Sequence, residues 1–217
     1  MGVTRRTVLA SALLAPSAAF AQTARPDWLA NHPAMRAWDP PHQDTTRFLE
    51  SRVQPADGGV RIPVRDWLGG RAGVVTVWAT WCGPCLREKP PEAQLSQRLA
   101  QAGSRAQVKA LLAYDRASLP DAQLRLASIG ASALETGRAS EAAEQALLTI
   151  FGIRRMRNSV ISQNQQFEYL RTTLPFTLLF DANGNLLGQA VGMMQAEDGR
   201  SYWQSLTTFD LLQRLAA

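Results

Sequence analysis

The chain has two cysteines, and both fall in the run Cys82-Gly83-Pro84-Cys85. Two thiols at this spacing suit two kinds of chemistry. They can cycle between a disulfide and a dithiol, or they can supply half the ligands of a soft metal ion. A disulfide across so short a loop removes little chain entropy, so stabilising the fold does not account for it. Exchange needs a thiolate. If a helix begins at the motif, its unpaired backbone N–H groups and its dipole favour negative charge at Cys82. Cys85 then lies one turn later on the same face, placed to attack a mixed disulfide formed at Cys82. Cys82 is the expected nucleophile and Cys85 the resolving thiol. The metal reading lacks ligands, since there is no third cysteine and the only histidines, His32 and His42, lie far upstream. A Cu(I) chaperone adding Met193 and Met194 is the one soft-ligand alternative, although methionines after a strand ordinarily serve packing. No metal and no cofactor is expected.

The elements around the motif must bring it to a strand end. Residues 74–79 are a β-branched run ending at Trp81-Cys82, which reads as a buried central strand, and Pro84 suits the first turn of a helix. That helix carries Leu86, Leu95 and Leu99, is expected to kink at Pro90 and Pro91, and closes at Gly103. Residues 108–114 read as a second buried strand, giving a parallel, right-handed β-α-β unit. Asp57-Gly58-Gly59 marks a hairpin turn upstream. Residues 120–134 and 140–151 have helical spacing, and 154–171 is polar and ambiguous. Residues 178–180 and 186–191 form a second hairpin around Asp181-Ala182-Asn183-Gly184-Asn185. A last helix over about 202–215 offers Leu206, Phe209, Leu212 and Leu215 as a face to cover the sheet. Residues 22–50, with Pro40-Pro41, read as an irregular extension that packs Trp28 and Trp38 on the domain.

Composition sets further bounds. Apolar residues make up 46% and charged residues 19% of the chain, as in an ordinary globular protein. The N-terminus has Arg5-Arg6, an apolar run to Phe20 and Ala19-Phe20-Ala21, the pattern of a secretory signal cleaved after about Ala21. The paired arginines are similar to a twin-arginine signal. The apolar run is too short to span a bilayer and contains Pro16, so no stable membrane insertion is expected. Of 23 basic residues two lie in this leader, leaving 21 against 18 acidic ones. That mild balance, with the arginines scattered, argues against nucleic acid as a partner.

The run Val77-Trp78-Ala79-Thr80-Trp81-Cys82-Gly83-Pro84-Cys85, followed by Glu88 and Pro90, resembles the thioredoxin superfamily. It is most similar to the exported TlpA/ResA-like branch, where W-C-x-P-C is followed by E-x-P. Leu174-Pro175, with residues 176–181 and Gly184, resembles the second signature of that branch, a cis-proline ahead of a strand and an acidic turn. Together the two cover most of residues 51–113 and 172–217. The resemblance implies an α/β fold: a thioredoxin-like three-layer sandwich over 51–217, its mixed central sheet flanked by helices, with a helical insertion at 116–171. It implies a thiol–disulfide oxidoreductase, a protein-disulfide reductase in the periplasm. Implied partners are exported proteins with cysteines, commonly apocytochrome c or respiratory copper-site proteins, and a membrane thiol-reductant transporter as electron source.

It also implies residue roles. Pro175 faces the cysteine pair, Leu174 offers backbone groups to an extended substrate, and Trp81, Gly83 and Pro84 belong to the docking surface, with Trp78 in the core. The branch usually has Thr where Phe176 stands, which makes the neighbouring surface more apolar. Glu88 takes the place of an acid that tunes the proton chemistry of the cysteine pair; the other reading of Glu88 is a solvated helical glutamate. Thioredoxin carries a buried Asp six residues before the first cysteine, where Thr76 stands here, so a proton relay would use Glu88 or water. A disulfide-donating oxidase or isomerase on the same fold is the rival activity, but Gly83-Pro84 goes with a more reducing couple than C-P-H-C does.

Overall fold

The computed structural model describes residues 26–41, 43–152, 170, 173–196 and 200–217. The leader, His42 and nearly all of the ambiguous 154–171 stretch lie outside the described residues. The chain enters through α1 (Asp27–Ala30), a 3-10 turn (Pro33–Ala37) and α2 (Thr46–Glu50), then the hairpin β1 (Arg52–Gln54) and β2 (Ile62–Pro63), and α3 (Val64–Leu68). The centre follows as β3 (Gly73–Trp78), α4 (Gly83–Gln101), β4 (Gln107–Leu112), α5 (Leu119–Ser128), β5 (Glu135–Ala139) and α6 (Glu141–Ile150). Strands β6 (Phe176–Phe180) and β7 (Leu186–Val191), a 3-10 turn (Tyr202–Gln204) and α7 (Leu206–Leu215) complete it.

One seven-stranded sheet runs in the order β2-β1-β5-β4-β3-β6-β7. The neighbours β3, β4 and β5 are parallel, while β6 and β7 on one flank and β1 and β2 on the other are antiparallel. This is the expected mixed sheet. Strands β3, β4 and β6 are buried at every position, as a sheet covered on both faces requires. Helix α4 runs unbroken through Pro90 and Pro91, which cannot donate to the carbonyls one turn back.

Three expectations need correction. The helix read over 120–134 ends at Ser128 after a capping box between Ser118 and Asp121, and Glu135–Ala139 form β5 between β1 and β4. The stretch 116–171 therefore supplies a sheet strand as well as helices. Its Thr-Gly-Arg centre carries little strand signal, because packing dictates Gly137: a Cβ there would fall 2.7 Å from Val53 Cγ2. Secondly, α7 buries Thr208, Leu211 and Leu212, whereas Leu206 is exposed. Thirdly, the 22–50 extension is partly regular and divides its tryptophans. Trp38 is buried and its Nε1–H donates to the Tyr202 hydroxyl at 2.6 Å, whereas Trp28 is exposed. The backbones of Asp39 and Gln189 exchange hydrogen bonds, which fastens the extension to the edge strand β7.

Candidate active site

Strand β3 delivers the chain to the cysteine motif at the end of the sheet. Cys82 is the N-cap of α4, and it is joined to Cys85 by a disulfide with Cα atoms 5.3 Å apart. The Cys85 N–H donates to Cys82 Sγ at 3.2 Å. After reduction, the same N–H and the helix N-terminus would favour a Cys82 thiolate, the attacking species. Both cysteines are buried, but Cys82 adjoins the exposed Gly83 and the half-buried Trp81 and Pro84.

The loop that precedes Cys82 is pinned to the one after β4. The Trp81 indole N–H donates to the Tyr114 carbonyl at 3.1 Å, and the Thr80 N–H donates to Asp115 Oδ2 at 2.5 Å. Tyr114 has φ +56°, a left-handed conformation that costs a tyrosine energy and must be held by its surroundings. Glu144 on α6 holds it: its Oε1 accepts from the Tyr114 N–H at 2.6 Å, and its carbonyl accepts from the Tyr114 hydroxyl at 2.7 Å. Burial raises the carboxyl of Glu144 above its ordinary range. Tyr114, Asp115 and Glu144 were invisible as site residues in the sequence, since only folding brings α6 to the end of β4.

The Leu174–Pro175 peptide is cis, and Pro175 immediately precedes β6. Val77 of β3 pairs with Phe176, so the antiparallel register sets Pro175 at the sheet end from which the cysteine loop leaves. The side chain of Leu174 is buried and its N–H donates to the Leu170 carbonyl at 3.0 Å. A substrate strand added here would therefore meet a donor already in use. The Pro175 carbonyl accepts from Gly192 at 2.8 Å, which draws the segment after β7 to the same end. There Met194 is buried, while Met193 is exposed and its sulfur receives the Arg87 guanidinium at 3.4 Å.

Glu88 is not a solvated glutamate; it is buried, one turn beyond Cys85 on the same helix. Its Oε1 accepts the Met194 N–H at 2.7 Å, and its Oε2 is buried without a hydrogen bond. Burial raises the carboxyl from 4.5 to about 7, the nearby Glu92 pushes in the same direction, and the Met194 N–H, Lys89 and the Trp203 indole partly offset them. The Trp203 N–H lies near the carboxyl, but neither it nor Oε2 closes a hydrogen bond. Thr76 meets two charged side chains, Lys89 and Glu92. Its hydroxyl accepts from Lys89 Nζ at 2.7 Å and donates to Glu92 Oε2 at 2.8 Å.

No family model and no curated protein matches the sequence. Solved structures do. A secreted thiol-disulfide isomerase from Corynebacterium glutamicum superimposes with a TM-score of 0.50 at 15% identity, covering 77% of this chain and 84% of that one. MTB DsbF superimposes at 0.49 with 16% identity over 78% of this chain and 97% of its own. A thioredoxin-family thiol:disulfide interchange protein from Chlorobium tepidum gives 0.47 with 20% identity over 77% and 94%. The fold is that of thioredoxin-type thiol–disulfide oxidoreductases, as the motif implied.

Proposed function

We propose that this chain is an exported thiol–disulfide oxidoreductase working as a dithiol reductase. The observation that carries the reading is the Cys82–Cys85 pair at the N-terminus of α4, with the Cys85 N–H aimed at Cys82 Sγ. The reduced Cys82 thiolate attacks a substrate disulfide, one substrate sulfur leaves as a thiol, and a mixed disulfide remains. Cys85 then gives up its proton and attacks Cys82 Sγ, which releases the second substrate thiol and restores the disulfide. Two electrons pass from the protein to the substrate, and an external dithiol must return them.

Glu88 suits the proton step. It lies on the cysteine face of α4, and a carboxyl with a pKa of about 7 can accept and return a proton at neutral pH. Exposed or half-buried Gly83, Pro84 and Trp81, with Pro175 and Leu174 at the same sheet end, are the proposed substrate contacts. Exported proteins bearing cysteines, such as apocytochrome c or copper-site proteins of respiratory oxidases, are the proposed substrates. A membrane thiol-reductant transporter is the proposed electron source, and the periplasm the compartment. The leader-like N-terminus and a neighbour named as secreted support export. Copper transfer through Cys82, Cys85 and the methionines has less support, because Met194 is buried and the Met193 sulfur faces Arg87. Disulfide donation or isomerisation stays the rival activity on this fold.

The test is substitution followed by mass spectrometry. Cys82→Ser should abolish reduction of a disulfide-bonded substrate, and Cys85→Ser should accumulate a mixed disulfide at Cys82. Full activity in Cys82→Ser, or trapping at Cys85 in place of Cys82, would overturn the assignment.

A further inference from the structure

Lys89 and Glu92 are charged, three residues apart on α4, and have no exposed side-chain surface. Lys89 Nζ has three protons and three acceptors: Thr76 Oγ1 at 2.7 Å, Glu92 Oε1 at 3.0 Å and Glu92 Oε2 at 2.8 Å. With the Thr76 hydroxyl donating to Glu92 Oε2, the three side chains form a closed, neutral network. Stability alone does not call for it. Removing two charges from water costs several kcal/mol per ion, and apolar side chains of similar size often serve a core as well or better.

Its position suggests another use. Cys85, Glu88, Lys89 and Glu92 are all buried on α4, at spacings of three, four and seven residues that stack them along one face. Among the described residues the groups that face Glu88 are few. Lys89 and Glu92 come from its own helix, the Met194 amide from the segment after β7, and the Trp203 indole from the 3-10 turn before α7. Lys89 is the one cation among them, and its three protons are already committed. Among the described residues Glu88 keeps an oxygen with no hydrogen bond, and the cation that acts on it is bound to Glu92.

The geometry points to Glu92 as a positioning residue: by capturing Lys89, it leaves Glu88 as a carboxylate free to take up a proton beside the cysteine pair. This rests on the reading of Glu88 as the group that takes the Cys85 proton. In the resolving step the Cys85 S–H bond breaks and its proton passes to the Glu88 carboxylate. The Cys85 sulfur bonds to Cys82 Sγ, and the mixed-disulfide bond breaks with its electron pair going to the substrate sulfur, which is protonated from water. Glu88 later gives its proton to solvent. Without Glu92, the Lys89 ammonium would turn to Glu88 and hold it as a carboxylate, a poor proton acceptor.

The test is a carboxyl-selective NMR titration of Glu88 in the oxidised protein. Glu92→Gln, which keeps the shape of the side chain and one oxygen to accept from Lys89 and Thr76 but replaces the other acceptor with an NH2 donor, should lower the Glu88 midpoint by about one pH unit or more. The double variant Lys89→Met with Glu92→Met removes both charges and should leave the midpoint raised. An unmoved midpoint in Glu92→Gln, or an equal fall in the double variant, would overturn the inference. Failure of Glu92→Gln to fold would also contradict it, since a lysine able to turn to Glu88 is not left unpaired. The underlying reading has a separate readout: if Glu88→Gln resolves a preformed mixed disulfide at the rate of the unaltered protein, Glu88 is not the proton acceptor, whatever its midpoint.

Discussion

The chain has two lysines, and both are buried beside a glutamate, yet the two sites are built differently. Lys109 on β4 donates to the Trp67 carbonyl at 2.5 Å and to Glu135 Oε1 at 2.6 Å. The side chain of Glu135 is 44% exposed, so water shares its charge. Burial lowers the Lys109 ammonium below its ordinary range, and Glu135 partly restores it. At Lys89 nothing is shared with solvent: the cation, its glutamate and the linking threonine are all enclosed between α4 and β3. The first site is a strut at the edge of the core, tying β4 to β5 and α3. The second places opposed charges beneath the active-site helix, where any imbalance falls on Glu88.

The largest expected effect separates the two sites. Lys89→Met strands the Glu92 carboxylate in the core and should destabilise the protein by about 3–5 kcal/mol in urea unfolding. Lys109→Met leaves Glu135 hydrated and should cost about 1–2 kcal/mol, from the lost bond to the Trp67 carbonyl. Equal losses would show that the sites do not differ as described. The double change Lys89→Met with Glu92→Met should be near neutral or stabilising, because the desolvation cost goes with the pair.

A pH series sharpens the contrast. Glu88 has a carboxyl raised to about 7 when folded, against 4.5 as its ordinary value. Between those values the folded state holds the extra proton, so this group favours folding below about 4.5 and the advantage is lost as pH rises to about 7. The loss amounts to about 3 kcal/mol for the oxidised protein. Glu88→Gln should flatten that window while still accepting the Met194 N–H. An unchanged slope would place the titration elsewhere.

The part of the fold nearest the cysteines was the most legible. The buried runs of β3 and β4, the proline at the start of α4 and the acidic turn between β6 and β7 are local signals, and each formed where its residues indicated. Strand β5 was illegible because its Thr-Gly-Arg centre answers to Val53 on β1 and Trp67 on α3 rather than to strand propensity. The cysteines and Glu88 could be named from spacing and resemblance, but the burial of Glu88 could not. Lys89-Pro90-Pro91-Glu92 looks like a solvated ion pair on a helix, and only the placement of α4 against Thr76 encloses it. One compositional hint was available: with 2 lysines among 23 basic residues, a chain that prefers arginine at its surface kept lysine for the interior.

The most direct test of the central claim is the reduction potential of the Cys82–Cys85 couple, measured by equilibrating the protein with thiol buffers and following tryptophan fluorescence. A value near that of thioredoxin, about −270 mV, is the result expected of a reductase that must be supplied with electrons. A value near about −120 mV would identify a disulfide donor and contradict the proposed direction, and a pair that never exchanges with the buffer would contradict the proposed chemistry altogether.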